Sequence, residues 1–326
     1  LRMHPTRIDR PDDPFHRGIL RWTREEVASA AQRVLEEMVT AFVRYHVKQT
    51  GLRDLAVAGG IFANVKLNQR IAELPEVDSL WVMPHMGDGG LAAGAALGSA
   101  GATPRRLAHA CLGPTFGRRD CSKALERAQL PREEVASRQT LDGVPGDVER
   151  VAAVIAGGGA VGRFHAAMEW GPRALGHRSV LAPATDPAVN EWLNERLSRS
   201  EFMPFAPAVT AEDAPRLFVG LEKAPDAARF MTVCFDCTEE MRRLCPGVVH
   251  VDGTARPQVV HASDNPKYHR IIRLFAEKTG LPAVINTSFN RHEEPIVCSP
   301  FDAIRAWRES DLDALAIGPY LVTRDG

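Results

Sequence analysis

Met168-Glu169-Trp170-Gly171-Pro172-Arg173-Ala174-Leu175-Gly176-His177-Arg178-Ser179 is the stretch that decides how this chain folds. Two glycines and a proline impose a turn-rich backbone, and Arg173 and Arg178 project from it with few apolar neighbours to bury them. Guanidinium groups on such a loop suit bidentate recognition of phosphate or carboxylate, because each offers a fixed fork of donors and never loses its charge. Spacing alone leaves a second reading open, a structural turn whose arginines pair with surface carboxylates.

Outward from this loop, residues 160–164 predict a strand leading in and residues 179–182 a strand leaving. A helix over residues 188–197 turns Trp192 and Leu193 inward and carries Arg196 near its end. Residues 200–207 are apolar and twice broken by proline, which predicts an extended edge or lid segment. Residues 230–237 read as a strand. Their Cys234-x-x-Cys237 pair, with Cys245 nearby, lacks the paired four-ligand spacing of a zinc site. A D-G turn follows at Asp252-Gly253 and delivers Arg256. A helix opens at Pro266, faces Ile271, Ile272, Leu274 and Phe275 inward, and closes at Gly280. A strand over residues 282–285 then ends in Asn286-Thr287-Ser288-Phe289-Asn290, neutral polar groups that either tie off a turn or hold a ligand. Ser299-Pro300 starts a last helix, and residues 314–322 supply a closing strand.

Toward the amino terminus, Thr23 and Glu26 form a capping-box signal for a helix of about six turns, with Val27, Val34, Leu35, Met38 and Phe42 on one buried face. A short strand at residues 54–58 runs into Gly59-Gly60-Ile61-Phe62-Ala63-Asn64 and a helix at residues 66–73. Strand, glycine pair and helix bring backbone N–H groups toward a phosphate, although glycines chosen for packing produce the same letters. A second strand, residues 79–83, ends in Pro84-His85-Met86-Gly87-Asp88-Gly89-Gly90. There Asp88 can reach a metal or a ribose, or cap the helix that follows. Further helices are expected over residues 120–128 and 147–156. Between residues 101 and 115 Gly, Pro and Arg interrupt the pattern and mark a domain boundary, giving parts 1–104 and 105–326.

The length of 326 residues suits two lobes. With 40 basic against 41 acidic side chains, the net charge of -1 carries no signature of nucleic-acid or membrane-surface binding. The longest weakly polar run, residues 90–102, is too short to span a bilayer. Six scattered cysteines and no visible secretory leader lead us to expect reduced thiols and a cytoplasmic location. The opening at Leu1, without methionine, suggests a piece of something longer.

Five blocks, taken together, resemble the O-carbamoyltransferase family of antibiotic and nodulation-factor biosynthesis, and the resemblance covers nearly the whole chain. G-G-I-F-A-N-V-K-L-N from Gly59 and G-D-G-G from Gly87 look like the later half of that family's first domain, an actin-like ATPase (ribonuclease H-like) fold related to threonylcarbamoyl transferases. The arginine loop, V-D-G-T-A-R ending at Arg256, and I-N-T-S-F-N ending at Asn290 look like its second domain, a YrdC-like twisted mixed-sheet α/β domain similar to threonylcarbamoyl-AMP synthases. The resemblance implies an α/β enzyme that makes carbamoyl adenylate from carbamoyl phosphate and ATP, with Mg2+, and passes the carbamoyl group to a hydroxyl of a small acceptor. Arg173, Arg256 and Ser288 would be catalytic. Arg178, Arg196, Asn286, Asn290, Gly59, Gly60 and Asn64 would hold substrate or nucleotide. Asp88 would be a ligand of a transition metal, iron or similar, in the transfer domain. Departures from the family pattern are the missing upstream H-x-x-x-H pair, Met203 where arginine is common, Arg196 near a usual lysine, and Ala166 and Ala167 where Gly and Arg are common. These leave a non-catalytic nucleotide-binding module as the alternative. The apolar edge of half a domain is compatible with a homodimer.

Overall fold

The computed structural model describes residues 18–101, 107–131, 135, 146–197 and 205–324. Twelve strands are present among them: β1 (Asp54–Val57), β2 (Ser79–Val82), β3 (Val161–Phe164), β4 (Arg178–Pro183), β5 (Ala206–Thr210), β6 (Phe218–Val219), β7 (Phe235–Cys237), β8 (Thr254–Ala255), β9 (Gln258–Val260), β10 (Ala283–Ser288), β11 (Ala314–Ile317) and β12 (Tyr320–Thr323). The fold is mixed α/β, built on a seven-stranded sheet of order β12-β11-β3-β4-β10-β5-β9. Within it β11 pairs β3 and β5 pairs β9 in parallel, and the remaining neighbours are antiparallel.

Both faces of this sheet are covered, so its strands carry apolar residues at odd and even positions alike. Val180, Ala182, Val209 and Ile285 point to one core, together with residues of the helices Pro300–Arg308 and Arg118–Arg127. Leu181, Ala208 and Val284 point to the other, closed by the helices Gly146–Ala156 and Pro266–Thr279. The latter helix follows the expected pattern: Asn265 caps it, Ile271, Ile272, Leu274 and Phe275 are buried, and Gly280 ends it at φ 75°.

The amino-terminal part is smaller. β1 and β2 form a parallel pair, connected by a 3-10 turn and the helix Val65–Ala72. The capping box at Thr23 starts the helix Arg24–Thr50, which is longer than expected and keeps only Leu35 of the expected apolar face against the core. Val43 and Val47 are buried and Leu35 and Val39 pack against the core, an i, i+4 row, whereas Val34, Met38 and Phe42 stay exposed. Two adjacent stripes compete on this helix, and only the first meets the helix Val65–Ala72. No helix among the described residues is long and apolar enough to cross a membrane.

Three further expectations differ from the structure. Ala206–Thr210 is an interior strand of the sheet and not an edge. Pro207 is tolerated because β9 pairs with β5 only from Ala208 onward, so its missing N–H falls where that ladder has not begun. The rest of the expected lid, residues 198–204 with Met203, lies outside the described residues, as does the boundary at 104–105. The strand expected over residues 230–237 shrinks to β7, because Met231 takes a left-handed φ of 55° and the Cys234 amide bonds to the Val65 carbonyl of the amino-terminal part. The closing strand is a hairpin, β11 and β12, turned at Gly318 with φ 57°.

Candidate functional site

Where β10 ends and β5 begins, side chains from seven separate segments, Met231 before β7 among them, enclose a cavity of about 290 Å³. Thr287 and Ser288 come from the last positions of β10, and Ala206 from the first of β5, directly opposite Asn286. Arg173 enters from the loop before β4, Arg256 from the segment between β8 and β9, Asn194 from the helix Val189–Arg196, and His292 and Glu293 from the turn after β10. Strand ends are where side chains stop being needed for sheet packing and become available to a ligand.

The loop carrying Arg173 is held from inside. Glu169, almost fully buried, accepts hydrogen bonds through Oε1 from the backbone amides of Leu175 (2.7 Å), His177 (2.7 Å) and Arg178 (3.3 Å). Gly176, at φ 107°, lies against the Tyr268 ring, which leaves a Cβ no room. Gly171, at φ 131°, lies where a Cβ would come within 3.3 Å of the Pro84 carbonyl, so the loop seats on the turn after β2. There the His85 ring makes an edge contact with Trp170, with centroids 5.0 Å apart.

Arg173 and Arg256 face the cavity with no carboxylate ion pair among the described residues. Burial pushes the Arg256 guanidinium down to about 9, and the like charge of Arg173 adds to the effect. Burial lowers Arg173 as well, and its Nε is buried without a hydrogen-bond partner. Both remain cations at neutral pH. Two desolvated cations beside each other, with an unpartnered donor, form an arrangement that an anion completes. Asn286 is fixed beneath them: its Nδ2 donates to the Ala174 carbonyl (3.0 Å) and to Gln258 Oε1 (2.6 Å). Asn290 donates to the carbonyls of Arg291 (2.7 Å) and Glu294 (3.0 Å), shaping the turn that brings His292 and Glu293 to the rim.

The structure therefore gathers Arg173, Arg256, Ser288, Asn286 and Asn290 at one place and sets the other expected site residues elsewhere. Arg178 is wholly buried. Its guanidinium stacks 3.7 Å from the Phe164 ring centroid and donates to the carbonyls of His165 (2.6 Å) and Ala166 (3.2 Å), so it is a strut and not part of an anion cradle. Ala166, where the family commonly has glycine, sits in the left-handed region at φ 41°. Arg196 pairs with Asp313 at 2.6 Å. Gly59 and Gly60 lie outside the cavity lining, and the Gly59 amide donates to the Met86 carbonyl. Asn64 caps the helix Val65–Ala72 and bonds Gln32.

Asp88 opens the helix Asp88–Ala100 and is exposed. No group of three His, Cys, Asp or Glu side chains able to hold a metal is present among the described residues. His85 is packed against Gly89 and Trp170. Cys234, Cys237 and Cys245 are free and buried, and burial pushes each thiol up to about 12. Sequence reading missed Asn194, Phe205, Met231, His292 and Glu293 as lining residues. For His292 and Glu293 the only available signal was their position just after the polar cluster that ends β10.

A buried histidine pair lies behind the loop. His165 and His177 meet edge to face with centroids 5.4 Å apart. Burial first, then the charges of Arg163 and neighbours, push His165 down to about 2, and burial lowers His177 too. Both folded-state values lie below the unfolded value, so the unfolded chain takes up protons first. Their contribution is complete above about pH 6.5 and declines as pH falls, by about 1.4 kcal/mol per pH unit for each proton. The urea midpoint should drop between pH 7 and pH 5, and His165→Gln should flatten that slope. A midpoint constant over this range contradicts the assignment.

Residues 152–324 match the family model described as Carbamoyltransferase C-terminus, and residues 13–97 match Carbamoyltransferase N-terminus. An uncharacterized protein of Methanocaldococcus jannaschii is 37% identical over 307 residues, covering 92% of this chain and 49% of that protein. The nodulation protein NolNO of Sinorhizobium fredii is 34% identical over 309 residues, covering 92% and 44%. The nodulation protein NolO of Bradyrhizobium diazoefficiens is 34% identical over 308 residues, covering 92% and 54%. This chain thus spans about half the length of the curated relatives it matches. Full-length HypF in its phosphate- and nucleotide-bound form aligns with a TM-score of 0.37 at 18% identity, covering 61% of this chain and 29% of HypF, a likeness too loose to bear on fold or ligand. The carboxy-terminal family model alone spans more than half of the residues, and the chain belongs to the carbamoyltransferase family.

Proposed function

We propose that this chain is part of an ATP-dependent O-carbamoyltransferase, and that its cavity makes carbamoyl adenylate. The observation that carries this reading is the convergence of Arg173 and Arg256, without carboxylate partners among the described residues, on one hollow shared with Ser288 and Asn286. Carbamoyl phosphate, ATP and water would yield carbamoyl adenylate, pyrophosphate and phosphate. Each product anion leaves as negative charge develops on a phosphoryl oxygen. Preorganised cations in a desolvated hollow stabilise that charge more than water does, because they need not reorient when it forms. Arg173 holds the carbamoyl phosphate, Arg256 the adenylate phosphate, and Ser288 and Asn290 position the nucleotide. The two parts, 1–104 and 105–326, would be the later half of a ribonuclease H-like transfer domain and a YrdC-like domain, working in the cytoplasm on a small hydroxyl-bearing acceptor.

Incubating the protein with ATP, carbamoyl phosphate and Mg2+ and following pyrophosphate release tests the proposal. A folded preparation that releases none, or an Arg173→Met variant that releases as much as the parent, sinks it. Met203, where arginine is common in the family, favours a second reading, a nucleotide-binding module without turnover. ATP binding by calorimetry in the absence of pyrophosphate release would select that one.

A further inference from the structure

The turn that carries Arg256 is clamped by a residue of the amino-terminal part. Asp252 uses one carboxylate oxygen, Oδ1, to accept from the Thr254 amide (3.1 Å) and hydroxyl (2.7 Å), which winds the turn Asp252-Gly253-Thr254. Its other oxygen, Oδ2, accepts from Lys66 Nζ at 2.7 Å. Burial pushes the Asp252 carboxyl up, but Lys66 and Thr254 outweigh it and hold it at about 2. Lys66 stands in the first turn of the helix Val65–Ala72, whose start and first face grip the same region at three more points. The Val65 carbonyl accepts from the Cys234 amide (3.2 Å), Asn68 Nδ2 donates to the Thr232 carbonyl (2.7 Å), and Gln69 Nε2 donates to Asp236 Oδ1 (3.1 Å). Asp236 in turn pairs with Thr254 in the β7–β8 ladder, two residues before Arg256.

We propose that Lys66 is a positioning residue for the anion cavity: by orienting Asp252 it fixes the β8 turn and so aims Arg256 at the ligand. The inference rests on the cavity being an anion site. A guanidinium recognises phosphate only within a narrow range of position and angle, and an exposed D-G turn does not hold such a range by itself. The other bond partners of this turn are backbone groups, Thr254 and His250, whose Nδ1 lies 3.1 Å from Thr254 Oγ1, and all of these lie within the turn or its own small sheet. Of the bonds from the neighbouring helix, the Lys66 ion pair is the one that reaches the Asp252 carboxylate itself. The amino-terminal part, which contributes no residue to the cavity lining, then acts on it from behind.

Calorimetric titration with inorganic pyrophosphate tests this on the full chain. Lys66→Met is expected to weaken binding about fivefold, with little change in melting temperature because the pair is partly exposed. Lys66→Arg should keep the parent affinity. In an Arg256→Met background the Lys66→Met change should have no further effect, since there is no longer a guanidinium to aim. Amide exchange at residues 250–256 should quicken in Lys66→Met while β10 stays protected. Parent-like binding by Lys66→Met, or the same loss in both backgrounds, overturns the positioning role while leaving the anion site intact. No pyrophosphate binding by the unmodified protein overturns the anion site and this role together.

Discussion

Arg173→Met is expected to lower pyrophosphate affinity by about 2–3 kcal/mol, roughly 30- to 150-fold, and at the same time to make the unliganded protein more stable. The first effect follows from losing a charge-assisted donor in a desolvated hollow. The second follows from removing one of two like charges that burial and mutual repulsion both disfavour; Arg256, now about 9, should recover toward its ordinary value. A gain of about 1 kcal/mol is a reasonable scale for relieving such a pair. Calorimetry and thermal denaturation of the same samples check both parts. If affinity and stability fall together, Arg173 is a strut and the cavity reading loses its main support. If neither moves, the cavity is not where anions bind.

Glu169→Leu should be among the most damaging single changes to the fold, costing about 3–5 kcal/mol. Three buried backbone amides would lose their common acceptor, and the wholly buried Arg178 would lose the opposite charge that most favours its cation. The carbonyls of Gly176, His165 and Ala166 around the loop already accept from Arg163 and Arg178. Glu169→Gln keeps an acceptor oxygen and should cost only about 1–2 kcal/mol. Urea unfolding separates the two variants, and pyrophosphate binding adds a second readout, because a collapsed loop no longer presents Arg173. Equal stability of parent and Glu169→Leu would show that the amides find other partners and that the loop is not built on this carboxylate.

Much of the architecture could be read from local patterns. The helix from Pro266 to Gly280 declares itself by cap, apolar spacing and stop signal, and the structure keeps all three. The same holds for β10, whose apolar run gives way to polar residues where the sheet ends and the cavity begins. Patterns failed where two local solutions were equivalent. On the helix Arg24–Thr50 the expected face, Val34, Leu35, Met38 and Phe42, straddles two i, i+4 rows of similar apolar character, and only the position of the neighbouring helix selects the row Leu35-Val39-Val43. Pro207 suggested an edge because a proline costs a ladder bond, but the cost disappears where the neighbouring strand has yet to start.

The sequence by itself determined that a glycine- and proline-bent loop rich in arginine leads into a strand, and that polar side chains cluster after another. It could not determine which arginine meets the ligand. Arg173 and Arg178 are five positions apart on one loop with the same chemistry. Arg178 falls on the first position of β4, paired with Phe164, where the register turns it inward over that ring and toward backbone carbonyls. Arg173 falls before the strand, where no register constrains it, and meets Arg256 from more than eighty residues away only because the segment after β8 passes where β10 ends and β5 begins. Electrostatics within a loop is local and legible. The meeting of two like charges across the fold is imposed by packing, which holds them together against their repulsion.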